Sequence, residues 1–168
     1  MKSRARKSPR ADQPARAPVP VDAAALDAVV RALYEAISFP PGGQPDWDRL
    51  RSLFAPGARL IPPKSDDGSP VHVLDVESFI AQASHQLQVN EPARQGFVEV
   101  EIARRTEAFG NIAHVFSTYE ARQATAEPAI ARGINSIQLL RDGGRWWVVT
   151  IFWDNERDDN PIPAAYLQ

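Results

Sequence analysis

Three histidines are the side chains of this sequence best suited to acid–base or metal chemistry, but their spacing does not build a metal site. His72, His85 and His114 lie far apart, and none belongs to a His-x-x-x-His or His–Glu motif. His85 falls off the apolar stripe of its predicted helix, and His114 falls on the outer face of a predicted strand. His72 precedes a predicted helix and is expected at the mouth of a pocket, where an imidazole can contact a ligand.

Asp154 is the acidic residue best placed to act as a general base. It directly follows Trp153 at the end of the last predicted strand, where a carboxylate can reach the rim of a pocket. The alternative is a structural role, because an aspartate at the end of a strand often caps the turn that follows.

Several common catalytic and cofactor sites have no counterpart in the sequence. There is no cysteine, which excludes disulfides, thiolate metal ligands and cysteine nucleophiles. Gly42-Gly43 lacks the lysine and the preceding strand of a phosphate-binding loop, and there is no nucleophile elbow. We therefore expect neither a metal ion nor a bound cofactor.

The charge distribution separates a basic N-terminal segment from an acidic body. Residues 1–21 carry six basic residues and one acidic residue, a net charge of +5, in a chain whose net charge is −2. The segment is rich in proline and poor in large apolar side chains, which predicts a disordered tail. We expect it to be solvated, because an acidic body disfavours nucleic acid as the main partner. The sequence shows no membrane span and no secretory signal, so a cytoplasmic location is expected.

Helical periodicity dominates the first half of the domain predicted over residues 22–168. Asp22, Asp46 and Asp75 are each expected to cap a helix, and Ala58–Ile61 is expected to form a short strand. The apolar stripes of the three helices are Leu26, Val29, Val30, Leu33 and Ile37; Trp47, Leu50, Leu53 and Phe54; and Val76, Phe79, Ile80, Ala83 and Leu87.

The hydrophobic period then falls to two, which indicates strands. Gly110-Asn111 and Gly143-Gly144 are typical of hairpin turns between them, and residues 155–168 are expected to form a strap that packs back on the body. Helices followed by a meander predict one α+β domain with a largely antiparallel sheet. The predicted strands cover residues 97–106, 112–122, 130–140 and 145–153.

Four stretches resemble the nuclear transport factor 2-like superfamily. They are "ALYEAI" in the first helix, "DWDRLRSLFAPGARLI" across the second, the third helix, and "GINSIQLLRDGGRWWVVTIFWD" in the last hairpin. The superfamily includes ketosteroid isomerases, scytalone dehydratase, limonene epoxide hydrolase and SnoaL-like polyketide cyclases. The resemblance covers residues 22–154 and implies a cone-shaped domain, in which a curved, mixed, mostly antiparallel sheet wraps the helices around one pocket. It is specific for the fold, which hosts enzymes, binders and transport adaptors.

The resemblance to ketosteroid isomerases implies candidate roles for two residues. Tyr34 falls at the position of that family's oxyanion-hole tyrosine, and Asn135 falls at the position of its second donor, an aspartic acid. Pro62 falls at the position of its general base, and since proline cannot accept a proton, isomerase activity is not expected. Tyr34 and Asn135 could together bind one carbonyl or phenol oxygen, or both could serve the core.

Alternation along the strands predicts the walls of the pocket. If Asn135 faces inward, then Tyr119, Trp147 and Trp153 are expected to face inward from the neighbouring strands. Such aromatic walls suit a flat, largely apolar ligand held by a few polar contacts. The alternative is a filled cone without a usable cavity.

The same alternation places large apolar side chains on the opposite face. Phe116, Val148 and Phe152 are expected to point outward. Because an exposed apolar face is usually covered by another surface, we expect a homodimer that pairs through the outer face of the sheet.

Two functions follow from these patterns. The first is a small-molecule binding protein or a SnoaL-like enzyme of the isomerase, cyclase or dehydratase type, acting on a hydrophobic, ring-shaped ligand. The second is a non-catalytic dimeric interaction module with a filled cone. An ionisable group beside a cavity would favour the enzyme. The candidate catalytic residues are Asp154 and Tyr34, and the candidate ligand-binding residues are Tyr34, Asn135, Tyr119, Trp147, Trp153 and His72.

Overall fold

The computed structural model describes residues 23–65, 67–89, 95–125 and 128–168. The predictions for the basic segment 1–21 and for Asp22 as a helix cap lie outside the described residues. Among the residues described, no helix combines the length and the apolar character that crossing a membrane requires.

Three helices form one layer of the domain: α1 (Ala23–Ile37), α2 (Trp47–Leu53) and α3 (Val76–Val89). The caps predicted for α2 and α3 are confirmed. The backbone N–H of Arg49 donates to Asp46 at 2.9 Å, and that of Ser78 donates to Asp75 at 2.8 Å. Each cap satisfies an N–H group that has no partner within the first turn of its helix.

A five-stranded sheet forms the second layer: β1 (Phe54–Ile61), β2 (Phe97–Phe109), β3 (Ile112–Gln123), β4 (Ala131–Asp142) and β5 (Arg145–Asn155). The order across the sheet is β1-β5-β4-β3-β2. The pair β1–β5 is parallel and the other pairs are antiparallel. The predicted α+β class with a mixed, mostly antiparallel sheet is confirmed.

The hairpin turns lie where the glycines predict them. Gly110 between β2 and β3 has φ of +57°, and Gly143 and Gly144 between β4 and β5 have φ of +59° and +80°. Glycine adopts these left-handed conformations without the steric cost that a Cβ atom would add.

The first strand begins earlier than the sequence pattern predicts. The pattern assigns Phe54 to the second helix and starts the strand at Ala58, but β1 begins at Phe54, which pairs with Val148. Pairing with β5, a partner remote in sequence, decides the conformation of Phe54, and a local apolar stripe carries no information about that partner.

A β-bulge in β5 reverses the alternation that the sequence predicts for its first half. Thr150 pairs with Gln138 while Val148 pairs with Leu139, so one extra residue lies in β5 at this point. Trp146 and Val148 consequently face the core and are 1% and 0% exposed. The predictions that Trp147 faces inward and that Val148 faces outward are therefore wrong.

The C-terminal residues cross the outer face of the sheet. The hydroxyl of Thr118 on β3 donates to the carbonyl of Tyr166 at 2.6 Å. The centre of the Tyr166 ring lies 5.4 Å from that of the Phe116 ring, and the guanidinium of Arg105 lies over the Tyr166 ring, 5.5 Å from its centre. The end of the chain thus covers part of the outer surface of β2 and β3.

Candidate functional site

A cavity of about 410 Å³ lies between the helices and the inner face of the sheet. Its volume falls within the range of small-molecule sites. Apart from two tryptophans, the described lining residues with a polar or ionisable side chain are Tyr34, Gln86, Glu99 and Asn135. Most of the wall is apolar and includes Leu33, Ile37, Leu50, Phe79, Ile137 and Trp153.

Tyr34 of α1 and Asn135 of β4 lie next to each other at one end of the cavity. Asn135 Nδ2 donates to Tyr34 Oη at 3.1 Å, and Tyr34 Oη lies 2.6 Å from Ser117 Oγ on β3. All three side chains are buried. The structure thus brings together the pair that the resemblance singles out, and it gives each of them a hydrogen-bond partner within the protein, as buried polar groups require.

The hydrogen bonds continue from Ser117 to a partly buried ion pair. The Ser117 hydroxyl donates to Glu101 on β2. Arg104 Nε and Nη2 donate to the two carboxylate oxygens of Glu101 at 2.7 and 2.6 Å, and Arg104 also pairs with Asp27 on α1. This two-pronged contact fixes the orientation of both charged groups. The network ties β2 and β3 to α1 directly behind the polar end of the cavity.

Glu99 is the ionisable residue of the cavity that the sequence patterns miss. It lies on β2, lines the cavity and hydrogen-bonds the Asn135 side chain. Burial raises the pKa of Glu99 to about 7, and the bond from Asn135 offsets part of this effect. Burial also raises the pKa values of its ionisable neighbours Tyr34 and Tyr119 above their ordinary range. At neutral pH, Glu99 therefore populates both its charged and its neutral form.

The alternation of β2 contained part of the signal for Glu99. It places Phe97, Glu99 and Glu101 on one face and Val98 and Val100 on the other. Alternation alone does not show which of the two faces of a strand is turned toward the core. The inner face is usually the one that carries the apolar residues, which for β2 would be the face of Val98 and Val100. Here the face that carries the glutamates is turned toward the cavity, and the only apolar residue that could have revealed this is Phe97, which also lines the cavity.

A second, more open cleft runs along α1 and β2 on the other side of Tyr34 and Glu99. Asp27, Glu101 and Arg104 line this cleft, and Tyr34 and Glu99 line both the cleft and the cavity. These two side chains therefore separate an apolar site from a charged surface. This position gives the Glu99 carboxyl a polar side through which it can exchange protons.

Two predicted aromatic residues are buried in different ways. Trp153 lines the cavity, and its ring meets that of Phe79 edge to face with centroids 6.1 Å apart. Tyr119 is buried but does not line the cavity, and its hydroxyl donates to Asn155 at 2.6 Å. Gly133 makes room for this hydroxyl, because a Cβ atom there would lie 2.5 Å from it.

Besides Tyr119, three predicted site residues lie outside the cavity lining. Asp154 is exposed and receives hydrogen bonds from Arg157 at 2.7 and 3.3 Å, and this guanidinium holds the pKa of Asp154 below its ordinary value. Trp147 lies under the guanidinium of Arg145, 3.7 Å from its ring centre. His72 is exposed. The geometry therefore moves the candidate acid–base role from Asp154 to Glu99.

The described histidines and carboxylates do not come together around a common point. In the described ranges, no group of three or more His, Cys, Asp or Glu side chains could hold a metal ion. His114 lies on the outer face, where Nε2 is 2.8 Å from the Ser136 hydroxyl.

This arrangement of helices and sheet is the fold of the NTF2-like, or cystatin-like, proteins. The chain is similar to a protein of unknown function with a cystatin-like fold from Nostoc punctiforme (TM-score 0.64, 10% identity, 83% of this chain and 95% of that chain). It is also similar to an NTF2-like protein of unknown function from Silicibacter pomeroyi (TM-score 0.53, 19% identity, 80% of this chain and 95% of that chain). A third similar structure is a provisionally assigned dehydratase of the NTF2-like family from Streptomyces avermitilis (TM-score 0.59, 16% identity, 85% of this chain and 97% of that chain).

The sequence itself matches no family model and no curated protein. The structural likenesses confirm the nuclear transport factor 2-like fold that the sequence resembles. At these identities they carry the fold alone, since one fold hosts many activities.

Proposed function

We propose that this protein binds a small, largely apolar molecule in the cavity and that Glu99 exchanges a proton with the bound molecule. The observation that carries this proposal is the position of the Glu99 carboxyl, which lies at the wall of an apolar cavity beside the Asn135 amide, where burial raises its pKa to about 7. Such a group is present in both protonation states at neutral pH, so it can serve as a general base or as a general acid.

The reaction class is proton transfer in an isomerisation, cyclisation or dehydration of a hydrophobic, ring-shaped ligand. The provisional dehydratase from Streptomyces avermitilis supports this class by likeness of fold. The proposed acid–base group stands on β2, whereas the isomerase base position after β1 is Pro62.

The rival function is an interaction module with a filled cone. The cavity between the described helices and strands favours ligand binding over this rival. Its apolar wall with one polar end is the usual construction of a site that fixes the orientation of a small molecule.

A pair of substitutions on α3 tests where a ligand binds. Ala83 lines the cavity, and Ala81 on the same helix is exposed. Ala83→Trp should weaken the binding of planar ring compounds at least about tenfold, because the indole fills the space that the ligand needs. Ala81→Trp should leave the affinity within about twofold. Calorimetric titration measures both, and equal affinities for the two variants would place the ligand elsewhere.

A second pair of substitutions, on β2, tests proton transfer. Products formed from a panel of hydroxylated and keto bicyclic compounds can be followed by NMR. Glu99→Gln keeps the shape of the side chain and should lower turnover by about 10²–10⁴ while the ligand still binds, because the general base is lost. Glu107→Gln, on an exposed residue of the same strand, should leave turnover unchanged. Turnover that survives Glu99→Gln would contradict the assigned role.

A further inference from the structure

The ion pair between Glu101 and Arg104 determines which groups donate and which accept in the chain of hydrogen bonds that leads from it to Tyr34. Arg104 donates to both carboxylate oxygens of Glu101, and a carboxylate can only accept hydrogen bonds. The single proton of the Ser117 hydroxyl is donated to Glu101. Ser117 can therefore only accept from Tyr34, so the Tyr34 hydroxyl donates to Ser117 across 2.6 Å.

The donor and acceptor roles of Tyr34 and Asn135 in the cavity wall follow from this chain of hydrogen bonds. Because the Tyr34 proton points to Ser117, the Tyr34 oxygen is an acceptor, and Asn135 Nδ2 donates to it at 3.1 Å. The Asn135 amide also bonds the Glu99 carboxyl and favours its charged form, as an N–H donor does. The protons of Tyr34 and Asn135 are thus committed within the protein. What these side chains and Glu99 present to a ligand is a group of oxygen acceptors.

Resting on the proposed binding of a small molecule in the cavity, we propose that its ligand is an apolar ring that carries a hydrogen-bond donor, a hydroxyl group, directed at Glu99 and Tyr34. A carbonyl ligand would find no proton at this end while Glu99 is charged, and a buried acceptor without a donor loses the hydrogen bonds that it made with water. A carboxylate ligand would bring a second negative charge next to Glu99. The site therefore offers acceptors where an oxyanion hole offers donors, although the resemblance assigns Tyr34 to the position of an oxyanion-hole tyrosine.

Two compounds with one carbon skeleton test this polarity. Indanol offers a hydroxyl proton and indanone offers only a carbonyl oxygen. Their affinities are compared by calorimetry at about pH 8.5, above the pKa of Glu99, so that its carboxyl carries no proton to offer. Indanol should bind about tenfold more tightly, because its hydroxyl gains a charge-assisted hydrogen bond. Ala83→Trp should weaken the binding of both compounds at least about tenfold.

A matched pair of buried serines tests the origin of the preference. Ser117→Ala removes the acceptor of the Tyr34 proton and frees that proton to turn toward the cavity. It should reduce the preference for indanol about tenfold. Ser136→Ala is the control, because Ser136 is equally buried on the neighbouring strand but lies on the outer face beside His114. It should leave the ratio of affinities unchanged.

The outcomes separate this inference from the function on which it rests. Indanone binding in the cavity as tightly as indanol would overturn the inference and leave ligand binding intact. A preference for indanol that survives Ser117→Ala would overturn the role of the hydrogen-bond chain. If neither compound binds at millimolar concentration, both the inference and the proposed binding function fail together.

Discussion

Glu99 and Glu101 show how two residues of one type on one face of β2 acquire different chemistry. Glu101 receives two hydrogen bonds from Arg104, whereas Glu99 is half-buried at an apolar wall and bonds the Asn135 amide. A guanidinium stabilises the charged form of a carboxyl group, and burial favours the neutral form. Glu101 is accordingly suited to fixing a network, and Glu99 to gaining and losing a proton.

The half-buried carboxyl of Glu99 should make stability depend on pH. Burial raises the pKa of Glu99 from 4.5 to about 7, so between these two pH values the folded protein holds a proton that the unfolded chain has released. The stability linked to this proton is complete below the ordinary pKa and is lost as pH rises through 7. Glu99→Gln should therefore raise the free energy of unfolding by on the order of 3 kcal/mol at about pH 8.5, and little at about pH 5. Urea unfolding at the two pH values measures this difference.

Glu101→Gln is the matched control for this prediction, and its expected effect has the opposite sign. It leaves the partly buried Arg104 without a full carboxylate partner, which should lower stability by about 1–3 kcal/mol at both pH values. If Glu99→Gln changed stability equally at both pH values, the carboxyl of Glu99 would not be buried in its neutral form.

The sequence predicts some of these residues and misses others for physical reasons. Tyr34 and Asn135 lie together as the resemblance implies, because the fold brings α1 and β4 to the same end of the cavity. Asp154 was a reasonable base by its position at a strand end, but Arg157, three residues later, binds it on the surface. The inner face of β2 depends on which partners the strand finds, and that information is not local.

At the scale of elements, local signals predict the ends of helices and turns, and long-range pairing sets the register of the strands. The caps at Asp46 and Asp75 act within one helical turn, so the local sequence is enough to predict them. The bulge in β5 depends on its pairing with both β1 and β4. An uninterrupted alternation over β5 therefore assigns the wrong face to its first residues and the right face to Trp153.

Two neighbouring tryptophans test the register of β5. Trp146 is almost completely buried and Trp147 lies under Arg145 at the surface. Trp146→Ala should lower the free energy of unfolding by about 3–5 kcal/mol, because it leaves a large cavity in the core. Trp147→Ala should cost about 1 kcal/mol or less, since it loses a surface cation–π contact. Denaturant unfolding measures the loss of stability in both variants. A larger loss for Trp147→Ala than for Trp146→Ala would show that β5 alternates without a bulge and that Trp147 faces the core.

At the scale of the whole molecule, the outer face of the sheet still carries apolar side chains exposed to water, although the C-terminal residues cover part of it. Phe109 on β2 pairs with Ile112 on β3, which pairs in turn with Leu140 on β4. These three side chains are 84%, 58% and 40% exposed, respectively. Phe152 on β5 is 42% exposed, and its partner Ser136 lies on the same face of β4 as Leu140, four residues away. Exposed apolar groups that share a face are typical of an interaction surface, so a homodimer through this face remains our prediction.

Phe152→Glu should shift this dimer toward monomer. The substitution places a charge where the partner would exclude water, and an unpaired buried charge costs several kcal/mol, comparable to the stability of a modest interface. Light scattering at about tens of micromolar protein, where a sub-micromolar dimer is fully associated, measures the mass of both proteins. Val89→Glu is the control, because Val89 is 64% exposed and is the last residue of α3 rather than part of the sheet, and it should leave the mass unchanged. A wild-type protein that is monomeric at this concentration would show that Phe109, Ile112 and Phe152 are exposed for a reason other than self-association.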